Sequence, residues 1–114
     1  MGPHLGSEMS GKIEQCVKVH VPLSSPGIGT AEERASIQRV SDKLEDAIML
    51  HEVGEFDGDE FGGGECQLFM YGSDANALFQ AIFPILTNWQ ALKGGYAIKR
   101  FGPPGSRFEK IEFD

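Results

Sequence analysis

Ile13-Glu14-Gln15-Cys16-Val17-Lys18-Val19-His20-Val21 sets Ile13, Val17, Val19 and Val21 against Glu14, Lys18 and His20. Apolar residues at period two, most of them β-branched, predict a strand with one face buried. Pro22 ends it, and a loop rich in Ser, Pro and Gly follows through Gly29. Thr30 with Glu33 then forms a capping box, in which a hydroxyl satisfies an early helix N–H and a carboxylate reaches back to the cap. Behind it Ile37, Val40, Leu44, Ala47 and Ile48 recur at helical spacing, predicting a long amphipathic helix that ends near His51. A strand that feeds a capped helix through a short loop is the first half of a βαβ unit.

The second half repeats the pattern. Residues 53–57 read as a short edge strand, and Gly62, Gly63 and Gly64 as a turning link. Residues 66–71 are apolar on both sides, so this strand belongs inside the sheet. Ser73 or Asp74 caps a second helix whose buried face is Leu78, Ile82, Ile85, Leu86 and Trp89. Pro84 kinks it, and Gly94-Gly95 after Lys93 stops it. Residues 96–101 and 108–113 are strands on either side of the turn Gly102-Pro103-Pro104-Gly105. The order predicts an α+β, ferredoxin-like βαββαβ two-layer sandwich with an extra C-terminal edge strand. Both helices then share one sheet face, and the other stays open. Residues 1–10 read as a disordered tail or a vector-derived remnant, and 11–114 as a single domain.

The chain has 114 residues, 40% hydrophobic and 24% charged, which is globular composition. Ten Lys+Arg against 17 Asp+Glu give a formal charge of −7, a balance that argues against phosphate backbones as partners and so against nucleic acid. No apolar run approaches the ~20 residues of a membrane span. Without a signal-peptide pattern at the N-terminus, a cytoplasmic location is expected. Cys16 and Cys66 are too few for a disulfide framework.

The candidate chemistry is thin. Glu52, Glu55, Asp57, Asp59, Glu60 and Glu65 fall together with no Lys or Arg among them. Against a calcium loop, Asp57, Asp59 and Gly62 match, but Phe61 and Leu68 stand where oxygen ligands are required, so no metal site is expected. The loop at Ser25-Pro26-Gly27-Ile28-Gly29-Thr30 precedes a helix start, yet Ala31, Glu32 and Glu33 follow where a phosphate loop needs Lys and Ser/Thr. On one strand Cys16 and His20 stand ~13 Å apart, too far to pair. Glu65 beside Cys66 disfavours a thiolate. No catalytic residue and no cofactor are expected.

The surface left for function is the open face of the sheet. Strand parity turns Cys16, Lys18 and His20 outward, with Gln67, Phe69 and Tyr71 beside them, joined by Lys99 and Phe101 from the later strand. Rings interleaved with Lys suit single-strand RNA platforms, but the RNA-recognition consensus is absent and the net charge opposes it.

The run Gly54-Glu55-Phe56-Asp57-Gly58-Asp59-Glu60-Phe61-Gly62-Gly63-Gly64-Glu65-Cys66, then Leu68-Phe69-Met70-Tyr71-Gly72-Ser73-Asp74-Ala75-Asn76-Ala77-Leu78-Phe79, resembles a group of small bacterial proteins of uncharacterised activity. The likeness extends to Arg100-Phe101-Gly102-Pro103-Pro104-Gly105. It implies a bacterial, cytoplasmic origin and no particular activity. The expectation is a non-catalytic acidic protein-binding module, of immunity, inhibitor or regulatory type. Its contacts would be Glu55, Asp57, Asp59, Glu60, Glu65, Phe69, Tyr71 and His20. The partner would be a protein with a basic surface, or a second copy in a homodimer. The alternative is a small-molecule or metal-dependent enzyme that acts as a dimer through the open sheet face.

Overall fold

The alternating strand becomes β1 (Gln15–Pro22) in the computed structural model, which describes residues 14–114; the tail 1–10 and Ile13 lie outside the described residues. Val17, Val19 and Val21 are sealed beneath the helices, as period two requires. The loop leads into α1 (Ala31–His51), where the capping box closes in both directions. Thr30 Oγ1 accepts from the Glu33 N–H at 3.0 Å, and Glu33 Oε1 accepts from the Thr30 N–H at 2.9 Å. The other carboxylate oxygen accepts from the Ser24 N–H at 2.9 Å, so one side chain fixes both the helix start and the loop before it. These backbone donors hold the Glu33 carboxyl below its ordinary value. Ile37, Leu44 and Ile48 bury the inward stripe.

β2 (Glu55–Gly62) and β3 (Glu65–Gly72) form an antiparallel hairpin, and β3 continues through Asp74 into α2 (Ala75–Thr87). Of the two cap candidates Asp74 acts: its side chain accepts from Asn76 N at 3.0 Å and Ala77 N at 3.2 Å. Gln15 Oε1 accepts from Ala75 N at 2.8 Å and ties the helix start to β1. A 3-10 turn (Gln90–Leu92), β4 (Tyr96–Arg100) and β5 (Phe108–Glu112) complete the chain.

The result is a two-layer α+β sandwich: α1 and α2 pack together on one face of a five-stranded sheet of order β2-β3-β1-β4-β5, every pairing antiparallel. β1 is the middle strand and β3 is interior, as its apolar character requires. Leu44, Ile48, Leu68, Met70, Leu78, Ile82 and Leu86 fill the space between the layers.

Three boundaries depart from the sequence reading. β2 starts two residues later than expected and runs through Gly62, because pairing with β3 holds a Gly- and Asp-rich segment that has little strand preference of its own. A register shift between Phe56 and Gly58 absorbs the irregularity as a bulge. α2 stops at Thr87 rather than at the glycines after Lys93. Pro84 lies inside α2, and its carbonyl accepts from Thr87 Oγ1 at 3.2 Å and Asn88 Nδ2 at 2.8 Å in the helix's last turn. Trp89 still reaches the core, from the start of the 3-10 turn.

Candidate functional site

The face opposite the helices is built from cross-strand rows. One row runs Glu60, Gln67, His20, Tyr96, Glu112; the next Gly58, Phe69, Lys18, Ile98, Lys110; the third Glu55, Tyr71, Cys16, Arg100, Phe108. Phe69 and Tyr71 stand on this face as expected. Lys99 and Phe101 do not. Ala97 is the fully buried residue of β4, so its neighbours in parity face the helices. Lys99 lies with its Nζ 5.2 Å from the centre of the Phe79 ring and donates to Asn76 Oδ1 at 2.8 Å. Phe101 packs against the core. Tyr96, Ile98 and Arg100 take the outward places. The signal was present in the sequence: the small Ala97 is the side chain a crowded inner face admits.

The side chains of this face lie over one another rather than standing free. Cys16 is only 2% exposed and His20 7%, although no helix covers them. His20 stacks on Tyr96, ring centres 4.3 Å apart and planes within 15°, and Lys110 sits 4.4 Å from the other partner's ring centre. The His20 Nδ1 is 3.2 Å from Glu65 Oε2, which also accepts from Gln67 Nε2 at 3.0 Å. Lys18 lies 5.9 Å from the centre of the Phe69 ring. Such contacts are worth roughly 0.5–1 kcal/mol each at exposed sites.

The acidic residues are not one cluster. Glu55, Glu60 and Glu65 belong to the open face, with Asp57 at the bulge near enough to Tyr71 to raise its pKa, after the larger effects of burial and of Cys16. Asp59 pairs with Leu68 and so lies on the helix side of the edge. Among the described residues no three His, Cys, Asp or Glu come together as metal ligands, and no helix is long and apolar enough to cross a membrane.

The face is divided by charge. Glu55, Asp57, Glu60 and Glu65 occupy its β2–β3 half. Arg100, Lys110 and Glu112 occupy its β4–β5 half, which is positive on balance, with Lys110 3.5 Å from Glu112. Lys18 stands on the middle strand. A concavity of about 380 Å³ opens between β1, β4 and the β4–β5 loop, with Cys16 and Ile98 in its lining and Gly105 and Ser106 along its rim.

Both thiols sit in surroundings that disfavour the thiolate. β1 and β3 are neighbours, but their antiparallel register sets Cys16 opposite Tyr71 and Cys66 opposite Val21, on opposite faces of the sheet. Both cysteines are free and buried. Burial pushes the Cys66 thiol up to about 12, helped by the charge of Asp59. Burial raises Cys16 too, against the opposing pull of Arg100 and Lys18. Both should therefore resist Ellman's reagent at pH 8 in the folded chain and react at once in urea; rapid reaction without denaturant would contradict this. The sign for stability follows. A folded pKa above the ordinary 9.0 means that unfolding releases the proton. Stability should be unaffected below pH 9 and fall as pH climbs from 9 toward 12. Urea midpoints against pH read this directly, and Cys66→Ala should flatten the alkaline decline.

In comparisons with known proteins, no family model, no curated protein and no solved structure matches this chain.

Proposed function

We propose that this chain is a non-catalytic binding module that assembles as a two-fold dimer through its open sheet face. The division of that face by charge carries the reading. The strand order β4-β1-β3-β2, with helices after β1 and β3, supports a ferredoxin-like arrangement to which β5 is added outside β4. In it β1 is the middle strand of five. A two-fold axis along β1 turns the β4–β5 half of one copy onto the β2–β3 half of the other. Arg100 and Lys110 then come over the edge that carries Glu55, Asp57 and Glu60 of the second copy, with Glu112 the one like charge brought in and Lys110 beside it, and the rings of Phe69, Tyr71 and Phe108 lie between the sheets.

A uniformly basic partner fits less well, because Arg100 and Lys110 would face like charge across half the surface. The size suffices. Five strands at ~4.8 Å spacing and about 25 Å long present roughly 600 Å² per copy, or ~1,200 Å² in all, the lower end for a specific interface.

Light scattering after gel filtration, with sedimentation equilibrium, should give twice the 12.4 kDa chain mass. The double variants Arg100→Glu/Lys110→Glu and Glu55→Lys/Glu60→Lys should each run as monomers. Mixing the two should restore a dimer, since the reversed charges complement each other again. A wild-type chain that stays monomeric near 100 μM, about the concentration at which a weak dimer of this size forms, would overturn the reading. So would reversed variants that keep the double mass.

A further inference from the structure

Lys18 and Arg100 bracket Cys16: Arg100 pairs with it across the strands, and Lys18 follows two residues along β1 on the same face. Both are partly buried. Among the described residues neither has a carboxylate within ion-pair distance, although the chain carries a formal charge of −7. Cations held partly out of water without a counter-charge are costly, and an anion in the same place offsets the cost. A two-fold axis along β1 adds no counter-charge to Lys18, because it brings the second Lys18 toward the first.

Arg100 is also held in one orientation. Its Nε donates to the Gly102 carbonyl at 2.7 Å, and among the described residues the two terminal nitrogens of the guanidinium, a fork that can grip a carboxylate, make no hydrogen bond. Beside the two cations the concavity is lined by Cys16, Tyr96, Ile98 and Phe108, with His20, Gly105 and Ser106 completing it. Phe108, 60% exposed, offers a ring face for an apolar body to lie against. The Cys16 thiol stays protonated, so capture here is reversible binding and no bond is made.

We infer that this concavity binds a small organic carboxylate with a flat apolar body, its carboxylate held by Arg100 and Lys18 and its body against Ile98 and Phe108. All six residues belong to one chain, so the inference does not require the dimer; Arg100 and Phe108 lie on the face that the proposed dimer would cover, so carboxylate and second copy compete for them.

Benzoate is a sufficient probe, with benzamide as its uncharged isostere. In titrations of the full-length Glu55→Lys/Glu60→Lys chain, whose open face is uncovered, benzoate should move the backbone amide resonances of Cys16, Lys18, Ile98 and Arg100 saturably, with a Kd on the order of 10 mM or tighter. Benzamide should bind at least about tenfold more weakly, the cost of one lost charge-assisted contact. Arg100→Gln and Lys18→Gln should each weaken benzoate by a similar factor while leaving benzamide unchanged. Equal response to the two compounds, shifts centred elsewhere, or no saturable shift would overturn the site. The Glu55→Lys/Glu60→Lys variant keeps every lining residue. Saturable benzoate binding in that variant supports the pocket whatever its oligomeric state, and a variant that ignores benzoate removes the pocket while the mass measurements judge the dimer separately.

Discussion

Leu68→Ala should lower the unfolding free energy by about 3–4 kcal/mol, a large part of the 5–15 kcal/mol typical of a whole domain. Leu68 is fully buried on the inward face of β3, directly across from Val19 of β1. It stands at the junction where the hairpin meets the middle strand, and α2 packs against both strands there. Truncation loses the transfer energy of three carbons and leaves a hole that interior strands cannot collapse to fill. Urea denaturation followed by circular dichroism measures the loss, and a drop under 1 kcal/mol would mean that the core is loose at its centre. Leu50→Ala near the end of α1 is the useful contrast, since that side chain is 78% exposed.

Gly54→Ala should cost on the order of 3 kcal/mol for a different reason, a collision rather than a hole. Gly54 has φ +148, a conformation L residues rarely adopt, and a Cβ there would run into the carbonyl oxygen of Tyr71. Gly72 is the other side of the same approach, its Cβ position blocked by the Val53 carbonyl. Neither obstacle is a side chain that can swing aside. The chain crosses here from α1 into β2, and the two glycines let the entry to β2 lie against the end of β3. Gly27→Ala is the control, because nothing stands within 4 Å of that Cβ and its φ is ordinary. It should be neutral or slightly stabilising. Paired urea midpoints decide it: equal effects at 54 and 27 would refute the steric account.

Much of this was legible because it is local. Thr30 and Glu33 announce the start of α1 three residues apart, and the valines of β1 choose their face by parity alone. The failures came where distant residues decide. Residues 55–62 carry four acids and two glycines, poor strand formers, and become a strand only because β3 offers a ladder. The stripe from Leu78 to Trp89 keeps helical spacing past the end of the helix, because Trp89 reaches the same core from a 3-10 turn. Lys99 looked like a residue of the open face, but its ammonium lies over the Phe79 ring on the helix side and donates to Asn76. The concavity was invisible in the sequence. It depends on how the loop between β4 and β5 curls back over Cys16, which no spacing encodes.

Both rims of the sheet are guarded. β2 ends the sheet with Glu55, Asp57, Asp59 and Glu60, and β5 ends it with Glu109, Lys110 and Glu112. A newcomer strand that tried to zip onto either rim would have to press its own side chains against a row of fixed charges, the arrangement by which natural sheets discourage endless lateral growth. With sideways extension discouraged, the dimer proposed above would join broad flat sides, and a pairing of that kind closes after two chains. On that proposal the acids along the rim would hold the assembly at a pair instead of a fibre.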